Sequence, residues 1–396
     1  MKLKYAILVG DGMADFPIAE LDNLTPLEYA VTPFMDSIAS QGVVGLAATV
    51  PQGMPPGSDV ANLSLMGYDP KSYYSGRAPI EAASMGIKLG KNETAFRCNL
   101  VTIKDGVMVD YSAGHVETCD AHQIINVLKG KFDSREICFY PGVSYRHLVV
   151  IKDFPEGLQC TPPHDITDKK TAPYLPDGSG ASIVCSLMEK AHELLASSPV
   201  NASRVASGKS PVTDIWLWGQ GHALALPTLQ EKYGIRGSVI SAVDLVRGLG
   251  VLAGLKVRLV EGATGYLGTN YAGKVTAACN ALEEEDFVYL HVEAPDETSH
   301  QGSLQKKIQA IEEFDKLVVG EMLKFQKQRN DLRILVAPDH ATPVSLKTHS
   351  AGPVPYAAAG PGIVKGKTDR YCEKCAQNFP VITGPELFER FLKGKF

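Results

Sequence analysis

The chain predicts an α/β fold: a doubly wound domain interrupted by a smaller α+β domain. Three observations carry this. Both ends of the sequence alternate short apolar runs with amphipathic helical stretches, the middle instead carries closely spaced strands, and acid or imidazole residues stand just after several apolar runs. At 396 residues the chain exceeds what one hydrophobic core usually holds, which favours two domains. The boundaries read as 1–65 with 181–396 for the discontinuous domain and 66–180 for the insert with its linkers.

At the N-terminus, residues 5–9 read as a strand, 33–41 as a helix and 46–50 as a second strand, which together suit a right-handed βαβ unit. Thr32 is the expected N-cap and Pro33 the first helical residue. Phe34, Met35, Ile38 and Ala39 share a face, and Gly42 is expected to end the helix in the left-handed conformation. The C-terminal half repeats the pattern, with a strand at 287–292, a long helix at 304–329 and a strand at 334–337. Leu304, Ile308, Ile311, Leu317 or Val318, Met322 and Phe325 mark the buried stripe of that helix. Between these halves lie short strands at 96–103, 107–111, 136–140 and 145–151, a Lys104-Asp105-Gly106 hairpin turn and a helix near 119–129. Residues 167–180 read as a linker back to the first domain, 180–196 as a helix and 201–211 as an exposed loop.

Ligands of open α/β sheets bind beyond the carboxyl ends of the strands. Asp11, Asp296 and Asp339 occupy such positions, joined by His300, His340 and His349. Asp and His in this number suit two divalent cations, with imidazole tilting the choice away from purely Mg2+ chemistry. Ser58, in a tight Pro-Pro-Gly-Ser-Asp loop, could merely begin a helix. Beside two cations ~3.5–4 Å apart, however, it becomes a nucleophile for phosphoryl transfer, and at a helix N-terminus any phosphate it acquires would meet free N–H groups. In the middle region Arg77 is an anion-binding candidate, and His115, Arg146, His147, His164 and Asp165 offer carboxylate or phosphate recognition and proton transfer. Trp216 to Gly221 reads as a core strand running into a glycine-shaped loop. Gly262 to Tyr266 lacks the Gly-Lys-Ser/Thr ending of a nucleotide-binding loop, so no ATP site is expected.

A formal charge of -5 with 21% charged residues lacks the basic excess of a nucleic-acid binder, so an anionic substrate must be held locally. No apolar stretch approaches the ~18–20 residues of a membrane span and the N-terminal apolar run is too short for a signal segment, so the expectation is a cytoplasmic protein without a membrane partner. The eight cysteines are scattered, which suits reduced thiols, and Cys372 with Cys375 forms a lone C-x-x-C that is weak evidence for zinc.

Five motifs taken together are far more specific than any one. Asp11-Gly12-Met13-Ala14-Asp15, Pro56-Gly57-Ser58-Asp59-Val60-Ala61-Asn62, Ala294-Pro295-Asp296-Glu297, Ala337-Pro338-Asp339-His340 and His349-Ser350-Ala351-Gly352-Pro353-Val354-Pro355 resemble those of the archaeal-type 2,3-bisphosphoglycerate-independent phosphoglycerate mutases of the alkaline phosphatase superfamily. The resemblance spans essentially the whole chain. It implies a ping-pong interconversion of 3-phosphoglycerate and 2-phosphoglycerate without 2,3-bisphosphoglycerate. Asp296, His300 and His349 would hold one cation, and Asp11, Asp339 and His340 the other together with the nucleophile Ser58. Mn2+ is favoured, with Mg2+, Co2+ or Zn2+ as alternatives. His115, Arg146, His147, His164 and Asp165 would belong to a transferase face holding glycerate, with Asp165 or His164 moving the proton. A homo-oligomer is compatible with this reading. A metal-dependent phosphatase, or a small-molecule kinase of the proposed homoserine kinase type, are the alternatives.

Overall fold

A computed structural model describes residues 2–396. The chain divides into two compact units, one made of the residues up to Tyr74 with Ala225–Phe396, the other of Ser75–Leu224.

The first unit is built on an eight-stranded sheet in the order Lys256–Val257, Gly237–Ile240, Phe287–Val292, Lys4–Gly10, Leu332–Ala337, Val354–Ala359, Val43–Ala48, Val381–Thr383. Neighbours run parallel except Val354–Ala359, which is antiparallel to both strands beside it. Its central strands are near-continuous apolar runs because both faces are covered. Ala6, Leu8, Val288, Leu290, Ile334 and Val336 pack in one core with Met35, Ala278, Ile311 and Met322 of four helices. On the opposite face Tyr5 meets Phe391 edge-on at 5.9 Å, Phe287 meets Phe388 at 5.7 Å, and the Tyr289 hydroxyl donates to Asn62 Oδ1 at 2.6 Å. The doubly wound expectation is thus met. The first two strands are parallel as the βαβ reading requires, but Leu332–Ala337 and Val354–Ala359 lie between them.

Helix Pro33–Gln41 forms where expected but with different ends. Thr32 makes no side-chain cap; Asp315 supplies it from a distant helix, accepting from Phe34 N (3.2 Å) and Met35 N (2.7 Å). Gly42 is not left-handed (φ −140°); it is glycine because a Cβ there would run into the Ala358 carbonyl oxygen. The long helix is Leu304–Phe314 and Gly320–Lys327 joined through a π-helical turn, Asp315–Val319, which buries Val318 and leaves Leu317 outside.

The second unit is α+β. Glu93–Lys104 pairs antiparallel with Val107–Asp110, Arg146–Lys152 and Asp214–His222, and Ile137–Val143 extends the sheet beside Arg146–Lys152. The turn at Asp105 and Gly106 has φ of 51° and 73°, the left-handed pair of a two-residue hairpin. Phe96, Leu100, Ile124, Phe139, Leu187 and Trp216 lie in one core.

Two expectations about extent need correction. Residues 181–224, expected to return to the first domain, belong to the second unit: helix Ala181–Ala196 buries Val184, Leu187 and Ala191 in its core, and Asp214–His222 is a strand of its sheet. Residues 66–74, expected in the insert, belong to the first unit. The 167–180 stretch is therefore internal, and its Asp177–Gly178 pairs with Leu158–Gln159. The loop expected at 201–211 begins as helix, Pro199–Ala206, because buried Arg204 ties it down through Asp120 and the carbonyls of Ala113 and Ser210.

Candidate active site

Three adjacent parallel strands of the first unit end at one place. Asp11 follows Lys4–Gly10, Asp339 and His340 follow Leu332–Ala337, and Phe287–Val292 leads into helix Ala294–His300, which carries Asp296 and His300 one turn apart. His349 lies beyond, before Val354–Ala359. Ser58 is the first residue of helix Ser58–Leu65 behind an extended Gly57, so the helix starts at the nucleophile candidate.

The expected side chains converge. His300 Nε2 and His349 Nε2 lie 3.1 Å and 3.6 Å from the two oxygens of Asp296 and 3.1 Å from each other. His340 Nε2 lies 3.4 Å from Asp339 Oδ2, 3.5 Å from Asp11 Oδ1 and 3.0 Å from Ser58 Oγ. Sequence reasoning missed the residues that support this centre. Asn62, one turn after Ser58, donates to Asp339 Oδ2 (2.7 Å) and to the Ser58 carbonyl (2.8 Å) while accepting from Tyr289. The Thr342 hydroxyl donates to Asp296 Oδ1 (2.5 Å), which leaves its oxygen to accept from His340 Nδ1 (3.1 Å) and turns the lone pair of Nε2 toward Ser58 and Asp11. Lys307, fully buried, holds the loops together by donating to Asp15 Oδ2 (2.8 Å) and to the carbonyls of Ala14 and Thr342. His291 is the largest omission. It sits inside an apolar strand with Nε2 3.0 Å from Asp11 Oδ2, and its one sequence signal was a lone imidazole in a run otherwise read as core.

The electrostatics suit cations. Burial, then the nearby Asp339 and Asp296, push the Asp11 carboxyl well above the usual range. Burial would raise Asp296 too, but hydrogen bonds from His300 and His349 with the charges of His340 and His349 more than offset it and hold it well below. Burial pushes His291 down to about 4, so its imidazole is neutral at neutral pH. Asp11 Oδ1 and His291 Nε2 are buried without a hydrogen-bond partner. Donor atoms of Asp296, His300 and His349 lie within 4.8 Å of one another, as do those of Asp11, His291 and Asp339, and of Asp11, Asp296 and His340. Three carboxylates gathered out of water with unsatisfied donor atoms fit divalent cations, which would neutralise them and complete their coordination.

A family model described as 2,3-bisphosphoglycerate-independent phosphoglycerate mutase matches residues 39–201. A protein of that name from Methanothrix thermoacetophila is 51% identical over 395 residues, covering 99% of this chain and 100% of the relative. One from Methanosarcina acetivorans is 53% identical over 357 residues, 90% of each chain. The chain belongs to this family. Among solved structures, one from Pyrococcus horikoshii superposes with a TM-score of 0.83 at 28% identity, covering 99% of this chain and 97% of that one. The cofactor-independent phosphoglycerate mutase of Thermoplasma acidophilum superposes with a TM-score of 0.67 at 25% identity, with 99% coverage of both.

In this member of the phosphoglycerate mutase family the remaining candidates lie in the second unit, where most form one chain of contacts. Glu81 accepts from Arg77 (3.3 Å) and from Arg97 (3.0 Å), a buried arginine that sequence reasoning missed. The Arg97 guanidinium stacks 4.3 Å from the Trp218 ring, His164 meets the other residues through Trp218 (5.3 Å) and Tyr111 (6.1 Å), and Tyr145 packs against Tyr111, His115 and Arg146. Burial lowers Arg97 to about 10, with Arg77 and Arg146 adding repulsion and Glu81 opposing it. Two arginines share one glutamate, and the charge of a third, Arg146, also acts on Arg97, so the group carries net positive charge that suits an anion. Asp165 is exposed, with Oδ1 3.7 Å from His164 Nε2. His147 does not join this chain of contacts: it is 2% exposed within the sheet, its Nδ1 accepts from Gly142 N at 2.9 Å, its Nε2 is buried without a hydrogen-bond partner, and burial pushes it down to about 3.

Proposed function

We propose that this chain interconverts 3-phosphoglycerate and 2-phosphoglycerate without 2,3-bisphosphoglycerate, through a phosphoserine at Ser58. The carrying observation is the position of Ser58, at a helix N-terminus with Oγ 3.0 Å from His340 Nε2 in a convergent set of acids and imidazoles that a purely structural serine would not need. Asp296, His300 and His349 would hold one divalent cation, and Asp11, Asp339 and His340 with Ser58 the other; Mn2+ is the favoured ion, with Mg2+, Co2+ or Zn2+ as alternatives. When bound, the pair supplies charge neutralisation for the phosphoryl oxygens and lowers the proton affinity of the serine hydroxyl.

Ser58 Oγ gives up its proton and attacks phosphorus, a serine–phosphorus bond forms as the bond to the glycerate oxygen breaks, and that oxygen takes a proton. Backbone N–H groups at the start of Ser58–Leu65 face the phosphoryl group held there. The other hydroxyl of the retained glycerate gives up a proton and takes the phosphoryl group as the serine–phosphorus bond breaks and Ser58 Oγ regains a proton, so atoms and charge balance over the cycle. We assign carboxylate recognition to Arg77, Arg97 and Arg146 with His115 nearby, and the proton transfers to His164 or Asp165. Water must be excluded while phosphoserine persists, or hydrolysis replaces isomerisation. The protein would act in the cytoplasm; among the described residues no helix is long and apolar enough to cross a membrane.

The test is conversion of 3-phosphoglycerate with Mn2+ present, lacking both 2,3-bisphosphoglycerate and ATP, with and without chelator. Chelator-sensitive formation of 2-phosphoglycerate, lost in Ser58→Ala with both cations kept bound by saturating Mn2+, is the expected result. Release of inorganic phosphate instead would make the protein a phosphatase, and retained mutase turnover in Ser58→Ala would overturn the phosphoserine.

A further inference from the structure

His291 is placed as a ligand would be, and differently from a packed core histidine. It has no solvent exposure, and strand register sets it beside Val9 at the carboxyl end of the sheet, on the same face as Tyr289. Its Nε2 is 3.0 Å from Asp11 Oδ2 yet makes no hydrogen bond, so a ring N–H is not aimed at that carboxylate. A buried nitrogen left unbonded costs about 1–3 kcal/mol; His147 Nε2 is unbonded too, but the free nitrogen of His291 lies within 4.8 Å of carboxylate oxygens of both Asp11 and Asp339. Asp11 Oδ1 is orphaned in the same way, so two unsatisfied donor atoms sit side by side. The other ring nitrogen does have a partner. Nδ1 lies 3.3 Å from Ser241 Oγ, an oxygen that also accepts from Val243 N at 3.0 Å and is therefore held in place. A ligating imidazole shows this arrangement, one nitrogen bonded to orient the ring and the other free.

We propose that His291 is a further protein ligand, through Nε2, of the cation held by Asp11 and Asp339. The proposal rests on the two-cation reading above. It gives Ser241 a definite role as the residue that orients the ring, with Nδ1–H donating to its oxygen. It also explains why an imidazole stands inside a strand whose other five side chains are apolar.

Crystals of the full-length protein loaded with Zn2+, measured at the zinc absorption edge, test this directly. Expected are two anomalous peaks, one with His291 Nε2 at the ~2.0–2.1 Å of a zinc–nitrogen bond. Two peaks with Nε2 beyond bonding distance of both would overturn the ligand assignment and leave the two-cation reading intact. Absence of any peak beside Asp11 and Asp339 would sink both. A second measurement is equilibrium dialysis of Mn2+ against His291→Gln. One of two equivalents should weaken at least ~10-fold while the other keeps its affinity; two equivalents at wild-type affinity would overturn the proposal.

Discussion

Asn62 shows how much of the candidate active site can depend on one amide. It bonds to Asp339, to the Ser58 carbonyl and to Tyr289, and so ties a ligand candidate and the proposed nucleophile to the sheet at once. Asn62→Ala should therefore weaken Mn2+ binding at the Asp339 site ~10–100-fold, the usual effect of losing an orienting partner, as read by calorimetric titration; an unchanged isotherm would reduce Asn62 to a packing residue. His300→Ala acts on the other position and should lower bound metal from two equivalents toward one, checked by elemental analysis after dialysis. Lys307 is a different kind of support. Lys307→Met would leave the Asp15 carboxylate buried without its amine, at a cost of about 3–5 kcal/mol in urea unfolding. A loss below 1 kcal/mol would mean that water enters and solvates Asp15.

Elements in this protein are ended and aimed by residues distant in sequence. The N-terminus of Pro33–Gln41 is capped by Asp315 from a π-helical turn, and the two segments are roughly 280 residues apart, as the hydrogen-bond separations of 281 and 280 record. Burial raises the Asp315 carboxyl to about 6 despite two backbone N–H donors, with Asp36 and Glu312 adding to the rise. Because the folded value lies above the unfolded one, this group's contribution is full below about pH 4 and is lost as pH rises through 6. A shift of that size corresponds to roughly 3 kcal/mol. Asp315→Asn removes the titration, so its stability relative to wild type should rise by about 2–3 kcal/mol between pH 4 and 7. A difference that stays flat across that range would show the carboxylate to be solvated. The lone C-x-x-C is likewise a matter of element ends: Cys372 Sγ accepts from Cys375 N at 3.4 Å and caps a short helix, and no cysteine belongs to a metal-ligating group among the described residues.

At the scale of the whole molecule, two units with separate cores should answer differently to metal. The chain has two tryptophans, Trp216 and Trp218, and both lie in the second unit. The proposed cation ligands all lie in the first. Saturating Mn2+ at 100 times its dissociation constant adds about 2.7 kcal/mol to whatever unfolds with the site. Urea unfolding followed by tryptophan fluorescence should thus keep its midpoint when Mn2+ is added, while far-ultraviolet circular dichroism gains a later transition. A tryptophan midpoint that moves with Mn2+ would mean that the two units unfold as one.

The sequence alone determined the central strands, the long helices and the six acid and imidazole candidates at strand ends, because apolar periodicity and a charged residue after an apolar run are local signals. It also determined the family, since the order of five motifs along the chain needs no coordinates. Only the tertiary structure decided that residues 181–224 complete the second unit, because strand pairing is made by partners far apart in sequence and a strand does not announce its neighbour. Only the structure separated His147 from the other histidines, since the direction of a side chain relative to the sheet, and the burial that neutralises it, are set by register. His291 lies between the two cases. The imidazole was visible in an apolar run, but its meaning depended on Asp11 and Asp339 arriving beside it from strands about 280 and 50 residues away, and Coulomb and coordination forces act across angstroms of space whatever the separation along the chain.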